Sequence, residues 1–310
     1  MSRFIIIIPI AISLSALTGC HDFTGQLVEL GFISNLHLDS GHKWTPDHAI
    51  AAGSDVELKV SGIVNSKDDP DEFELTPSVK GRLHLVEIGE NLLRITGKKG
   101  NRGVVQFRGK DKYDYFNVRF ARPDGARLAD PLDDFFEIDS EALAVVAGSE
   151  ADLHVQLTDT RDNILGFVPN DLTVEGWGGI DASTDSSGEM HLIADDNSST
   201  GEISIHHQGR PIEELTLPVI DKGEINEVEL ISRVIDNKEG EDLVAVLAVA
   251  WLEDDTRALG VDVDWSWTGG AEAEEEERSD LLVFSDDELP LEVEATIDGQ
   301  TWTTTTEFMR

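Results

Sequence analysis

Apolar and polar positions alternate along most of the chain, in short runs separated by glycine-containing turns. Ala52-Gly53-Ser54-Asp55-Val56-Glu57-Leu58-Lys59-Val60 shows the form: a turn, then a strand with Val56, Leu58 and Val60 on one face and charges on the other. It returns 95 positions later as Ala147-Gly148-Ser149-Glu150-Ala151-Asp152-Leu153-His154-Val155. Ala-Gly-Ser, Leu and the last Val are identical, and acid replaces acid at two more positions. Glycine supplies a turn conformation that a side chain resists. A second echo, 98 apart, joins Gly103 to Phe107 with Gly201 to Ile205. Each is followed by a polar turn (Gly109-Lys110, Gly209-Arg210) and another alternating strand, Tyr115 to Phe120 or Leu215 to Val219. A fainter echo joins Asp159-Thr160-Arg161 and Leu165-Gly166 to Asp255-Thr256-Arg257 and Leu259-Gly260, each leading to a tryptophan, Trp177 or Trp265. Leu291 to Ile297, Asp298-Gly299 and Thr301 to Phe308 repeat the strand–turn–strand close. No segment carries a helical period over three turns, and the acidic run Ala271 to Arg278 reads as a solvated loop.

Short strands repeating at this period predict an all-β chain of three tandem β-sandwich modules, at residues 32–122, 131–221 and 225–310. Strand-like material begins at Phe32 to Leu38. The boundaries fall at Pro123-Asp124-Gly125-Ala126-Arg127 with Pro131, and at Asp221-Lys222-Gly223-Glu224. Linkers this short make a stiff rod rather than loose beads. The order of turn glycine, alternating strand, Asp-rich hairpin, Trp-bearing strand and Gly-x-Ile-x-Ile resembles bacterial immunoglobulin-like domains of the intimin and invasin type. The first module departs from it by lacking a tryptophan on the corresponding strand. The resemblance implies immunoglobulin-like sandwiches and a part in surface display, adhesion or protein–protein contact.

Ahead of the modules the pattern is different. Met1-Ser2-Arg3 is a short basic start, Phe4 to Leu17 is nearly all apolar, and Leu17-Thr18-Gly19-Cys20 closes the run. Its length is that of a signal-peptide core, short for crossing a bilayer. The segment resembles the lipobox of a bacterial lipoprotein. That resemblance implies a signal peptide at residues 1–19, cleavage after Gly19, and lipidation (palmitate among the chains) at Cys20, with residues 20–31 a short tether. Several acyl chains hold firmly where one holds reversibly. His21 follows the cysteine and the acid comes only at Asp22, which by the same resemblance implies the outer membrane in a Gram-negative host. The lone cysteine leaves no disulfides, no thiol nucleophile and no Cys-based zinc site.

A formal net charge of −38 changes the list of partners. No basic stripe exists in the sequence to displace counterions from phosphates, which excludes nucleic acid and argues against lying flat on anionic lipid. A 40% hydrophobic share in alternating runs separates the chain from disordered acidic segments.

Candidate chemistry is sparse. His37, His42 and His48 have a spacing that suits neither a strand nor a helix face, and the adjacent His206 and His207 point opposite ways on a strand. Acidic pairs recur at Asp68-Asp69, Asp133-Asp134, Asp195-Asp196, Asp254-Asp255 and Asp286-Asp287. Asp in hairpins caps turn backbone, but calcium also takes several carboxylates, and Asp133 and Asp134 beside a boundary are the candidate calcium ligands. Trp177, Trp251 and Trp265 fall in strand patterns and are expected in cores. No phosphate loop, nucleophile elbow or zinc-protease motif is present. The sequence therefore predicts a lipid-anchored, non-enzymatic envelope protein that binds an unidentified protein or glycan. The alternative is a periplasm-facing structural or calcium- or carbohydrate-binding component of an envelope assembly.

Overall fold

The computed structural model describes residues 28–38, 42–45, 47–54, 56–64, 76–89, 92–108, 113–140, 142–236, 242–268, 273–275, 278–285 and 292–304. The leader, Cys20, Asp68 to Glu72, Asp286-Asp287 and the stretch from Thr305 to Phe308 lie outside them.

The first module contains β1 (Val28–Ser34), β2 (Ala49–Ala51), β3 (Val56–Val64), β4 (Thr76–Gly81), β5 (His84–Gly89), β6 (Leu92–Thr96), β7 (Arg102–Arg108) and β8 (Tyr113–Ala121). They form two sheets, β1-β3-β6-β5 and β2-β8-β7-β4. The second contains β9 (Gly125–Ala129), a one-turn helix α1 (Asp133–Phe136), β10 (Leu143–Val146), β11 (Glu150–Thr158), β12 (Leu165–Gly166), β13 (Leu172–Trp177), β14 (Ile180–Thr184), β15 (Glu189–Ala194), β16 (Thr200–His207) and β17 (Arg210–Ile220). Its sheets, β9-β11-β15-β14 and β10-β17-β16-β13, repeat the first module strand for strand. The third contains β18 (Glu227–Asp236), β19 (Asp242–Trp251), β20 (Arg257–Leu259), β21 (Asp264–Thr268), β22 (Ala273–Glu275), β23 (Leu281–Ser285), β24 (Glu292–Ile297) and β25 (Gln300–Thr304), in sheets β18-β19-β23-β22 and β21-β24-β25. This is the pairing of an immunoglobulin-like sandwich, three times over. The two repeated turns contain Gly53 and Gly148 at φ +106° and +70°, backbone that a side chain would strain.

Two stretches differ from the sequence reading. The boundary placed at Pro123 to Pro131 contains β9, which pairs with β11 from His154↔Ala129 to Thr158↔Gly125, so turn-forming residues here flank a strand instead of replacing one. The acidic run read as loop contains β22, held by pairing with the apolar β23 (Ala273↔Phe284, Glu275↔Leu282). Local charge favours solvent, but one backbone ladder to a buried neighbour outweighs it.

Each module joins the next by the same device. β2 lies parallel to β8 (Ile50↔Phe120, Ala51↔Ala121) and takes β12 of the second module on its other edge (Leu165↔Ala49, Gly166↔Ile50). β10 lies parallel to β17 (Val145↔Val219, Val146↔Ile220) and takes β20 of the third module (Leu143↔Arg257, Val145↔Leu259). Side chains alternate across a strand, so the two faces of each shared strand enter different cores. Ile50 belongs to the first core, while Ala49 and Ala51 pack in the second. Val145 packs in the second core, while Ala144 and Val146 pack in the third. The fainter echo, Leu165-Gly166 and Leu259-Gly260, contributes the docking segments of both junctions. Gly166 must be small because the ring of Trp44 lies where its Cβ would be.

The segment between β9 and β10 also crosses over. Phe136 packs with Ala245, Leu247, Val249, Leu281 and Val283 on one face of the third module's larger sheet, while Val246, Ala248 and Ala250 pack on the other. Burial on both faces explains why Leu243 to Ala250 is continuously apolar and not alternating.

Candidate functional site

At the second junction five charged side chains meet. Asp130 follows β9 and Asp133 opens α1, both from the second module, whereas Arg257 on β20, Arg278 and Asp280 come from the third. Arg257 Nη2 donates to Asp130 Oδ2 at 2.9 Å, with the two residues 1% and 3% exposed. Arg278 grips the same carboxylate with two nitrogens, at 2.8 and 2.9 Å, and turns Nε and Nη2 to Asp280 at 3.0 and 2.7 Å. Asp133 pairs with Arg257, and the Leu132 N–H adds a bond of 2.8 Å to Asp130 Oδ1. Planar guanidinium forks suit carboxylates, and bidentate pairs are the strong ones. Burial alone would raise the Asp130 carboxyl, but the hydrogen bonds and charge of Arg278, then the charge of Arg257, hold it below the ordinary aspartate range. Burial pulls the Arg278 guanidinium down, and its bonds to Asp130 and Asp280 more than reverse this.

At the first junction Ser54 Oγ lies 3.2 Å from His207 Nε2, with Asp171 Oδ2 3.9 Å from the same nitrogen. Ser54 is fully buried and His207 is 3% exposed. A Ser-His-Asp relay needs serine and carboxylate on opposite ring nitrogens. Here both face one, so the trio is a packed polar contact. Burial lowers the His207 pKa, and Asp171 only partly offsets it.

The residues singled out in the sequence go to separate places. Asp133 is held by Arg257, so a cation binding there would displace a guanidinium, while the Asp134 side chain is 75% exposed and 3.8 Å from His42 Nε2. Among the described residues no group of three or more His, Cys, Asp and Glu side chains is arranged to hold a metal ion. Other acids cap turns: Asp159 Oδ1 accepts from Arg161 N–H at 2.8 Å, Asp185 Oδ1 from Ser187 N–H at 2.8 Å, and Asp254 Oδ1 from Thr256 N–H at 3.2 Å. His37 lies beside Lys43, and His48 Nδ1 is 3.0 Å from Thr45 Oγ1, so the three early histidines form no common site. Trp251 and Trp265 pack against the third module's cores as expected. Trp177 does not reach a core. It ends an edge strand, 42% exposed, with its indole N–H on Glu202. Trp44, unplaced by the sequence, is buried in the first core.

The sequence reading missed Asp130, Arg257 and Arg278. Their signal was scarcity: past Arg127 the chain holds few bases, and one follows the acidic run at Arg278. Among the described residues no helix is long and apolar enough to cross a membrane.

No protein-family model matches the chain, and no curated protein sequence does. Among solved structures it is similar over 89% of its length to domains 4–9 of the surface layer protein SbsC, at 13% identity and TM-score 0.33. The chain spans 46% of that structure, less than half its length. It is similar to FdeC, an Escherichia coli adhesin, at 12% identity and TM-score 0.27, over 89% of this chain and 96% of that one. Invasin, a bacterial integrin-binding protein, is similar at 9% identity and TM-score 0.23, over 89% and 60% of the two chains.

Proposed function

We propose that the chain is a lipid-anchored, non-enzymatic rod of the cell envelope, held at Cys20 and displaying its modules for adhesion or protein–protein contact. One observation carries the reading. Both junctions insert a strand of one module into the core of the next, which fixes the modules' relative placement and makes the chain a spacer as well as a string of domains. A display protein gains reach, because a stiff rod presents its far loops at a set distance from the anchor. Loops at the module tips and exposed sheet edges are the surfaces for the contact.

Protease treatment of intact cells tests this. Cleavage of the second and third modules on whole cells, with a cytoplasmic marker untouched, is the expected result. Complete protection until the envelope is opened would move the protein to the periplasm-facing role instead.

A further inference from the structure

Charge is divided unevenly between the modules. Residues 32–122 contain 14 Lys and Arg against 13 Asp and Glu, whereas residues 123–310 contain 9 against 47. In the later modules most of these bases are paired inside the molecule: Arg127 with Asp162, Lys222 with Asp262, Arg233 with Glu137, and Arg257 and Arg278 in the junction cluster. In the first module they gather at one end of the β4-β7-β8 face. Arg102 stands directly across from Arg119, Arg82 N–H bonds to the Arg102 carbonyl at 3.1 Å, and Lys80 occupies the next row. The turn at Lys98 and Lys99 closes over the same end through Asn101 and Gly100, which bond to the backbone of Phe120. All six bases are exposed.

Like charges directly opposite on a sheet destabilise it. With so many carboxylates available, the fold nevertheless places none among the described outward residues of this face, which are Ser78, Gln106, Val104, Tyr115 and Asn117 beside the bases. Among the described residues, Arg119 donates to the Asp47 backbone carbonyl at 3.5 Å and its charge is felt at the Asp159 carboxylate. A local rule broken with so little internal compensation points to a functional surface. We infer that this face binds an acidic polysaccharide: guanidinium and ammonium groups meet its carboxylates or sulfates, and the amides and hydroxyls of Gln106, Asn117 and Ser78 meet its hydroxyls. A broad anionic bilayer would also confront the acidic second and third modules, and a second copy of the chain would bring two strongly negative bodies together. A single glycan strand can lie on this basic strip alone, which the fold assembles from bases scattered along the sequence and which the sequence reading therefore missed. The choice of glycan over nucleic acid rests on the envelope location proposed above.

The test uses the purified full chain with dextran sulfate and polygalacturonate, and with neutral dextran, oligothymidylate and phosphatidylglycerol vesicles as comparisons. Salt-sensitive binding to an acidic glycan, absent with neutral dextran, is expected. Changing Arg82, Arg102 and Arg119 together to Glu weakens it about tenfold or more. A charge-matched control, Arg161→Glu with Arg210→Glu and Lys222→Glu, leaves it intact. Should the first variant melt early, Lys80→Gln with Lys98→Gln and Lys99→Gln gives the same readout without touching the Arg102–Arg119 pair. Equal loss in the control variant, no glycan binding, or tighter binding to oligothymidylate or vesicles overturns the inference. So does salt-sensitive self-association in sedimentation that vanishes with the three arginines, which would assign the face to a second copy. None of these results alters the whole-cell protease pattern, so the two readings fail separately.

Discussion

Asp130 and Arg257 belong to different modules, yet their side chains meet at 2.9 Å with almost no exposure to solvent. Removing one member of such a pair leaves a buried charge without its partner, which costs about 3–5 kcal/mol. Asp130→Ala is the harsher case, because two guanidiniums lose the same carboxylate. We expect Asp130→Ala and Arg257→Ala to lower the melting temperature of the third module and its junction while the first module melts unchanged. Arg257→Met, which fills the same space without charge, should cost less than Asp130→Ala, because Asp130 keeps its two bonds from Arg278. A urea titration of the single and double variants reads the coupling between them.

Val145 and Val146 are neighbours on β10 with their side chains in different cores. Truncating either to Ala removes two buried methyls and leaves a cavity, at a cost of about 2–3 kcal/mol. The expected effects fall in different places. Val145→Ala raises hydrogen exchange in β11, β15 and β16, and Val146→Ala raises it in β19 and β24. If both variants loosen the same module, the shared strand is not inserted as described.

These two positions also show how far the sequence could be read. The alternating strands after Gly53 and Gly148 were legible, because period-two burial leaves its mark on every other residue. The triplets just before them, Ala49-Ile50-Ala51 and Ala144-Val145-Val146, were not assigned, because a strand buried on both faces has no alternation to read. Their signal was the extension of the Ala-Gly-Ser repeat by three apolar residues on its N-terminal side. Trp177 was misplaced because it shares the outward face of its strand with Thr173 and Glu175, opposite the buried Leu172 and Val174. The Asp130 cluster depends on contacts between residues more than 120 positions apart, which no local pattern records.

Lipidation makes a separate prediction. Cys20→Ser should abolish palmitate labelling and leave the protein as uncleaved precursor or in the soluble fraction. The folded modules should keep their melting temperature, since the change precedes the first described strand at Val28. Normal labelling of the variant would refute the anchor.

Two histidines set opposite pH dependences. Burial lowers the pKa of His207 in the fold, so the unfolded chain takes up a proton there before the folded one does. Its contribution to stability is complete above about pH 6.5 and declines as pH falls toward the folded value. His191 is raised, first by its 2.8 Å bond to Asp152 and also by the charges of Glu150 and Glu189. Its contribution is complete below about pH 6.5 and is lost as pH rises through the folded value. His191 sits on an open sheet face where solvent screens the pair, so the buried group governs. Between pH 7 and pH 5 the wild-type second module should therefore lose stability, and His207→Gln should flatten that decline while His191→Gln leaves it in place. Because His207 bonds to Ser54 of the first module, the loss should show first as proteolysis near the junction at Arg122 to Gly125, before either module unfolds. A decline that survives His207→Gln would have to come from the carboxylates, and would then continue steeply below pH 4 as Asp130 is protonated.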